Sequence, residues 1–354
     1  MTDERSEAHV GSGKVMTVAG DIPVERLGIT LMHEHILNDC RCWWNEPKEP
    51  ERRYLADQPV SIGILSELRQ DPFVNRHNIA LDDEPLAIEE LHRFAKAGGH
   101  TVVDPTCRGI GRDPLALQRI SAATGLQIVM GAGYYLQSSH PPEVAGMSVD
   151  DIADQIVGEA LEGVDGTGVR IGLIGEIGVS SDFTCDEETS LRGAARAQVR
   201  TGLPLMVHLP GWFRLGHKVL DIAAEEGADL RHTVLCHMNP SHGDFAYQSE
   251  LAARGAFIEY DMIGMDFFYA DQQVQCPSDE EVARAIVRLI EAGYLDRILL
   301  SHDVFLKMML TRYGGNGYAF VLRHFLPRLM RHGVDKAALE TLMRGNPMRV
   351  FHAG

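Results

Sequence analysis

Six side chains that can bind metal ions stand at the ends of apolar segments in this sequence. They are His33, His35, Glu176, His208, His237 and Asp303. Imidazole and carboxylate groups without thiolate form a ligand set that Zn, Mn, Fe and Co accept. Six protein ligands are too many for one catalytic ion with an open position, but they suit two ions about 3.5–4 Å apart. The sequence therefore predicts a centre of two divalent ions per chain, with Zn as the first choice and Mn, Co or Fe as alternatives.

Each of these residues has a simpler explanation when it is considered alone. A single histidine after an apolar strand, such as His208 or His237, is more often a hydrogen-bonded core residue than a ligand. Taken alone, Glu176 would most often be one half of an ion pair. The set as a whole favours a metal, because buried carboxylates and clustered imidazoles are costly unless a cation compensates them. His33 and His35 support this interpretation, because residues two apart on a strand point to the same side.

The elements that must position these side chains are eight short segments rich in Val, Ile and Leu, which alternate with amphipathic stretches. The predicted strands are 28–35, 101–105, 127–132, 170–177, 204–209, 233–238, 256–261 and 297–303, and helices are predicted at 85–97, 114–124, 187–201 and 280–292. Apolar strands separated by helices indicate a parallel sheet with both faces covered. Eight such units without a GxGxxG turn favour an α/β fold of the (β/α)8 TIM barrel type over an open doubly wound sheet. The active site of such a barrel lies at the carboxyl ends of its strands.

Three accessory features are predicted outside this pattern. A short N-terminal hairpin is expected over residues 15–23, with Gly20 and Asp21 in its turn. The insertion at about 40–82, after the first strand, has clustered Pro and charge and is expected to cover the barrel mouth like a lid. Residues 1–12 are expected to be disordered, and residues 13–354 are expected to form a single metal-dependent hydrolase barrel domain.

Composition narrows the class of partner. The 354 residues carry 33 Lys and Arg against 50 Asp and Glu, a formal charge of −17. This acidity argues against nucleic acid and against an anionic membrane surface, and no segment reaches the roughly 18 apolar residues of a membrane span. The polar N-terminus does not resemble a signal peptide, and six cysteines are too sparse for a disulfide scaffold, so a cytoplasmic location is expected. A small-molecule substrate is the expected partner, and a homodimer is left open.

Longer sequence strings resemble a known family. LMHEH, GEIG, VLCHMN, IEYD and LLSHD, together with RQDPFVNRHNIALDD, AKAGGHTVVDPTCRGIGRD and RYGGNGY, are similar to the phosphotriesterase-related proteins of the amidohydrolase superfamily, including the subgroup also called resiniferatoxin-binding. The similarity runs from about Gly13 to Phe351. It implies that one buried ion is held by His33, His35 and Asp303. A more exposed ion would be held by His208 and His237, and Glu176 would bridge the two.

The bridge departs from that of the best-known phosphotriesterases, which use a carboxylated lysine on strand 4. None of the six lysines of this chain lies on its predicted fourth strand. A glutamate bridge at Glu176 is the consistent interpretation. Phosphotriester turnover is therefore expected to be at most a side activity.

The expected reaction is hydrolysis of a carboxyl derivative, either the amide of a small N-acyl compound or an ester. A hydroxide that bridges the ions attacks, and Asp303 accepts its proton as the catalytic residue. Lactonase or phosphotriesterase activity, and ligand binding without catalysis, are the alternatives. Substrate contacts are expected from Tyr134, Tyr260 and Lys307, with Lys307 holding an anionic end of the substrate. The thiol of Cys236, next to His237, is expected to point out of the barrel.

Overall fold

The computed structural model describes residues 13–352, and a sheet of eight parallel strands forms its centre. In sheet order the strands are Thr30–Leu31, Thr101–Asp104, Gln127–Ala132, Leu173–Gly178, Leu205–His208, Thr233–Leu235, Phe257–Tyr260 and Ile298–Leu300. The eighth strand returns to the first, where the amide of Asp303 donates to the carbonyl of His33 at 3.1 Å. The amide of His35 donates to the carbonyl of Val304 at the same distance of 3.1 Å. These bonds close the sheet into a barrel, as the sequence predicts.

Several barrel strands are shorter than predicted. The first covers Thr30–Leu31 where 28–35 is predicted, and the eighth covers Ile298–Leu300 where 297–303 is predicted. Part of the reason is backbone conformation, because His237 has φ 57° and Asp303 has φ 52°. This left-handed conformation does not fit an extended ladder, and for residues other than glycine it costs of the order of 1–3 kcal/mol. These two candidate ligands therefore stand at strand-to-loop junctions.

Helices surround the barrel. Within residues 13–352 the α-helices are Leu65–Gln70, Glu84–Lys96, Pro114–Thr124, Val149–Leu161, Cys185–Thr201, Gly216–Glu225, Phe245–Ala253, Asp279–Glu291, Leu326–Arg331, Lys336–Glu340 and Asn346–Phe351. The four predicted helices are present, with ends within two residues of the predicted ones. Helix Cys185–Thr201 begins with a capping box, in which the Thr184 hydroxyl accepts from the Glu187 amide and the Glu187 carboxylate accepts from the Thr184 amide. None of the helices in the described part of the chain is both long and apolar enough to cross a membrane.

The barrel interior is filled by apolar side chains from alternate strand positions. This inward-facing cluster includes Met32, Val103, Val129, Leu173, Met206, Val234, Cys236, Phe257 and Leu299. Cys236 belongs to it because it lies two residues after the inward-facing Val234 on the same strand. The expectation that the Cys236 thiol points out of the barrel is therefore wrong.

The N-terminal hairpin closes the end of the barrel opposite to the strand carboxyl ends. It consists of strands Lys14–Thr17 and Gly20–Pro23 and packs against the inward-facing cluster. Its turn is at Val18 and Ala19, two residues earlier than the predicted Gly20 and Asp21, because Thr17 pairs with Gly20. The predicted disorder of residues 1–12 lies outside the described residues.

The insertion after the first strand covers one side of the barrel mouth, as predicted. Short strands Asn38–Asp39 and Ala80–Leu81 pair antiparallel and close its base. Inside it, Leu55, Leu68 and Phe73 are buried in the main hydrophobic core. The insertion is therefore packed onto the barrel as part of one core.

Candidate metal centre

Glu176 lies at the centre of the predicted ligand set, on the floor of a cavity at the carboxyl ends of the barrel strands. Its Oε1 is 3.3 Å from His35 Nε2, and its Oε2 is 3.2 Å from His208 Nδ1. The same Oε2 is 3.6 Å from Nε2 of both His33 and His237. Four imidazoles from three strands, the first, fifth and sixth, thus converge on one carboxylate.

Asp303 approaches the same group from the eighth strand. Its Oδ1 is 3.6 Å from His33 Nε2 and 3.4 Å from His35 Nε2. Separations of this size are longer than ordinary hydrogen bonds of about 2.7–3.2 Å. They match the roughly 3.3–3.6 Å between ligand atoms that tetrahedral geometry gives for metal–ligand bonds of about 2.0–2.2 Å. Glu176, Asp303 and the two histidines after the first strand therefore lie at spacings that fit metal coordination. His237 Nε2 and His208 Nδ1 are closer, at the hydrogen-bond distance of 2.7 Å.

The imidazole of His33 provides an independent test of that fit. The side chain is fully buried, yet neither ring nitrogen has a hydrogen-bond partner among residues 13–352. Buried polar atoms without partners are rare in native proteins. A cation at Nε2 would satisfy one of these atoms, so the donor set and its surroundings fit a bound metal ion.

The pKa values show that the carboxylates in this site require positive charge. Burial lowers the pKa of His35, but the carboxylates of Asp303 and Glu176 outweigh burial and raise it to about 9. Burial also opposes the charge on His237, and Asp261 and Glu176 raise its pKa to about 10. Burial raises the pKa of Glu176, but the surrounding imidazoles hold it well below its ordinary value. Without metal, protons on His35 and His237 supply positive charge, and metal binding would displace them.

Two carboxylates of the seventh strand lie behind the imidazoles, and sequence analysis missed both. Asp261 Oδ1 is 3.1 Å from His237 Nδ1, and Asp261 Oδ2 is 3.3 Å from His33 Nδ1. Glu259 Oε2 is 3.5 Å from the same His33 Nδ1. Burial and the nearby Asp261 raise the pKa of Glu259 to about 7. Phe257, Glu259 and Asp261 are two residues apart, so the strand period could have predicted that they share the inward face.

Glu34, between the two histidines of the first strand, connects that strand to the eighth. Its Oε1 accepts hydrogen bonds from the Ser301 hydroxyl at 2.8 Å and the His302 amide at 2.9 Å, and lies 2.6 Å from His302 Nδ1. Its Oε2 accepts from the amide of Val304 at 2.9 Å. These bonds hold the strand that carries His33 and His35 in register with the strand that carries Asp303.

Close packing of the fourth and fifth strands requires glycine before Glu176. Gly175 has φ 134°, and a Cβ atom there would lie 2.4 Å from the carbonyl oxygen of Met206. A larger residue would push these strands apart. The position of Glu176 relative to His208 therefore depends on Gly175.

A cavity of about 640 Å³ opens above the cluster, and the two predicted tyrosine contacts lie outside it. The Tyr134 hydroxyl points to Gln155 Oε1 at 2.7 Å, and the Tyr260 hydroxyl bonds to Gln248, both on surrounding helices. The neighbouring Tyr135 lines the cavity instead, with its ring centroid 4.8 Å from that of His208. Near a strand end, a shift of one residue changes the face to which a side chain points.

Lys307 also lies away from the cavity, contrary to the prediction. Its side chain is 4% exposed, and its Nζ bonds to Asp82 of the insertion at 2.7 Å. The amide of Lys307 donates to the carbonyl of Asn78, and the amide of Met308 donates to the Asn78 side chain. Lys307 thus fastens the insertion to the loop after the eighth strand and does not face a substrate.

The closed barrel and the imidazole–carboxylate cluster at its carboxyl end define a metal-dependent hydrolase. Comparison with known sequences gives the family. The sequence model of the Phosphotriesterase family matches residues 13–351, and the chain belongs to that family.

Relatives and solved structures agree with this assignment. The chain is 36% identical to the N-acetyltaurine hydrolase of Salmo salar over 341 residues, which cover 96% of this chain and 97% of that protein. A crystal structure of a resiniferatoxin-binding protein from Rhodobacter sphaeroides is 75% identical, with a TM-score of 0.97 and coverage of 100% of this chain and 99% of that chain. A lactonase from Listeria monocytogenes is 26% identical, with a TM-score of 0.79 and coverage of 96% and 99%.

Proposed function

We propose that this chain hydrolyses the amide bond of a small N-acyl compound and that it does so with two zinc ions. One observation carries the proposal: five side chains able to bind metal line the floor of the cavity, and Nε2 of the buried His33 points at the same carboxylates without a hydrogen-bond partner among residues 13–352. The choice of an amide is supported by full-length relatives, 34–36% identical, that are named N-acetyltaurine hydrolase.

The proposed ligands divide into a buried and a more exposed set. His33 and His35, with side chains 0% and 3% exposed, would hold the buried ion together with Asp303. His208 and His237, 12% and 9% exposed, would hold the second ion. Glu176 lies within 3.6 Å of all four imidazoles and would be shared by both ions.

The neighbouring thiol is not among the proposed ligands. Burial raises the pKa of the Cys236 thiol well above its ordinary value, which disfavours the thiolate that binds metal. Imidazole and carboxylate ligands of this kind suit zinc. All six cysteines lie within the described residues and are free, which is consistent with a reducing cytoplasm.

The chain's own residues supply positioning and proton transfer. When bound, the ions acidify water and polarise the scissile carbonyl. Asp303 lines the cavity beside the imidazoles, so its carboxylate can take a proton from the attacking water and deliver it to the departing amine. Glu34 keeps Asp303 in register with His33 by bonding to both sides of the strand junction.

Metal analysis followed by a substrate panel tests the proposal. The purified, zinc-loaded protein should contain close to two ions per chain and release free amine from N-acyl amides. Asp303→Asn should retain much of the metal and lose about 10²- to 10⁴-fold in rate. Asp335→Asn is the matched control, because Asp335 caps an outer helix and asparagine caps equally well. One ion or none would contradict the two-ion centre.

The same panel distinguishes the alternatives. Turnover of lactones or phosphotriesters without turnover of amides would favour the activity named for the Listeria relative or for the family. Full metal content without turnover of any compound would favour a ligand-binding protein, in line with the name of the Rhodobacter relative.

A further inference from the structure

The cavity above the candidate metal centre offers no lysine or arginine to a substrate anion among the described residues. Its acidic lining residues are Glu176 and Asp303, which belong to the metal centre, and Glu187, which does not. The protein therefore contributes negative charge to this space.

Glu187 occupies the place where an external anion would otherwise bind. It lies at the start of helix Cys185–Thr201, where unpaired backbone amides attract anions. Its Oε1 accepts from the amide of Gln137, and its Oε2 accepts from the amides of Ser180 and Thr184 and from the Ser180 hydroxyl. The protein's own carboxylate thus uses these donors and adds a like charge that opposes a second anion.

Three cations near the cavity are paired with carboxylates, and Lys218 lies over the ring of Phe183 at 4.1 Å. Three pairs close to the lining segments are Arg41 with Asp39, Lys307 with Asp82, and Arg214 with Asp244. In each pair the charged nitrogen lies within hydrogen-bond distance of a carboxylate oxygen. These cations are outside the cavity lining, and reaching it would require breaking an ion pair.

Aromatic rings from several loops form a wall of the same cavity, which we call the aromatic wall. It comprises Trp43 and Phe73 of the insertion, Trp212 after the fifth strand, Tyr269 after the seventh and Phe305 after the eighth. The ring of Phe73 stacks at 5.4 Å on both Trp43 and Tyr269, and Trp212 meets Tyr269 edge to face at 5.8 Å. Such a surface favours a flat apolar group and offers no positive charge to an anion.

We infer that the part of the substrate remote from the scissile bond is neutral and carries a ring that packs on the aromatic wall. The inference rests on the proposed amide hydrolysis and specifies its leaving group. The chain would then share the reaction of its N-acetyltaurine hydrolase relatives but not their sulfonate, since a sulfonate would be desolvated beside Glu187 without a cation. The expected substrates are N-acyl derivatives of neutral, ring-bearing amines.

A pair of compounds that share the N-acetyl group tests this inference. N-acetyl-2-phenylethylamine carries a neutral ring, and N-acetyltaurine carries a sulfonate. With the zinc-loaded protein, kcat/KM should be at least about tenfold higher for the ring compound, mainly through KM, because an aromatic contact and an unpaired buried charge both favour it. Preference for N-acetyltaurine would overturn the inference.

Variants separate the aromatic wall from the charge of the cavity. Trp212→Ala should raise KM for the ring compound about 3- to 10-fold, whereas Phe245→Ala, an exposed aromatic residue outside the lining, should not change it. Gln272→Lys places a cation in the exposed part of the lining and should raise kcat/KM for N-acetyltaurine about two- to fivefold. Gln273→Lys adds the same charge one residue away, outside the lining. Equal effects of the paired variants would contradict the inference.

Binding measurements separate failure of this inference from failure of the proposed function. If the metal-loaded protein hydrolyses neither compound, amide hydrolysis is refuted for this pair. Calorimetry with the same two compounds then still decides the inference. Tighter binding of the ring compound supports it, and tighter or equal binding of N-acetyltaurine overturns it.

Discussion

Replacing Asp261 with asparagine tests whether the carboxylate behind the imidazoles sets their affinity for metal. The substitution keeps the size of the side chain but turns one oxygen into an amide group that donates hydrogen bonds. In the structure the two oxygens face His237 Nδ1 at 3.1 Å and His33 Nδ1 at 3.3 Å. Because an imidazole that ligates through Nε2 carries its hydrogen on Nδ1, the new amide group must oppose one N–H group.

The size of the effect follows from what the carboxylate contacts. Loss of a hydrogen-bonded carboxylate behind a metal-binding histidine typically costs about 10- to 100-fold in metal affinity. A tenfold change corresponds to about 1.4 kcal/mol, so the expected loss is about 1.4–2.8 kcal/mol. We expect the upper part of this range, because Asp261 is fully buried and serves two imidazoles, and because a negative charge is removed as well.

Competition with a chromophoric chelator measures this loss directly. The dissociation constants of Asp261→Asn should rise by one to two orders of magnitude, and excess metal should restore most of the activity. Asp335→Asn, at the start of an outer helix, should bind metal like the wild type. Thermal unfolding of the metal-free proteins separates an effect on the site from a general loss of stability. Unchanged dissociation constants would show that Asp261 does not support the imidazoles and would refute this reasoning.

Three further perturbations probe separate parts of the protein. Glu176→Gln removes the charge that two ions would share, so elemental analysis after dialysis should give close to one ion per chain. Full metal content and full activity would contradict a bridging role for Glu176. Lys307→Met removes an ion pair with the exposed Asp82, so it should lower the free energy of unfolding by about 0.2–1 kcal/mol. It should leave kcat/KM for anionic compounds unchanged. Unchanged stability would contradict the fastening role of Lys307. Metal affinity, measured by titration, should rise with pH up to about 10, because His35 and His237 must lose protons whose pKa values are about 9 and about 10 in the metal-free protein. An affinity independent of pH would contradict the proposed ligands.

The barrel and the convergence of the six candidate ligand residues at its carboxyl end could be predicted, because both rest on strong sequence signals. Buried parallel strands are continuous apolar segments, and a His or Glu at the end of such a segment has few explanations besides a site at the barrel mouth. Glu176 and His208 lie within the observed strands, and His33, His35 and Asp303 lie just after them, so small errors in strand ends did not matter.

The substrate contacts could not be predicted in the same way, because loops do not follow a fixed period. Tyr134 and Tyr135 are adjacent, and only the structure shows that Tyr135 lines the cavity while Tyr134 bonds to Gln155. The same applies to Lys307, whose partner Asp82 is 225 residues away in the sequence. A long-range ion pair of this kind leaves no signal in local composition.

Formal charge gives a separate physical argument for two ions. The four carboxylates around the imidazoles are Glu176, Asp303, Glu259 and Asp261, all at most 7% exposed. Beside neutral imidazoles, ionised Glu176, Asp303 and Asp261 carry a total charge of about −3, and Glu259, whose pKa is raised to about 7, adds up to one more. One divalent ion leaves an excess of about −1 to −2, which a second ion offsets. A buried excess of that size is costly, so the carboxylates behind the ligands favour occupancy of both sites. When two ions offset the charge of the metal centre, Glu187 is the remaining acidic side chain in the described cavity lining. Its carboxylate would repel a substrate anion, and no lysine or arginine of the lining would compensate.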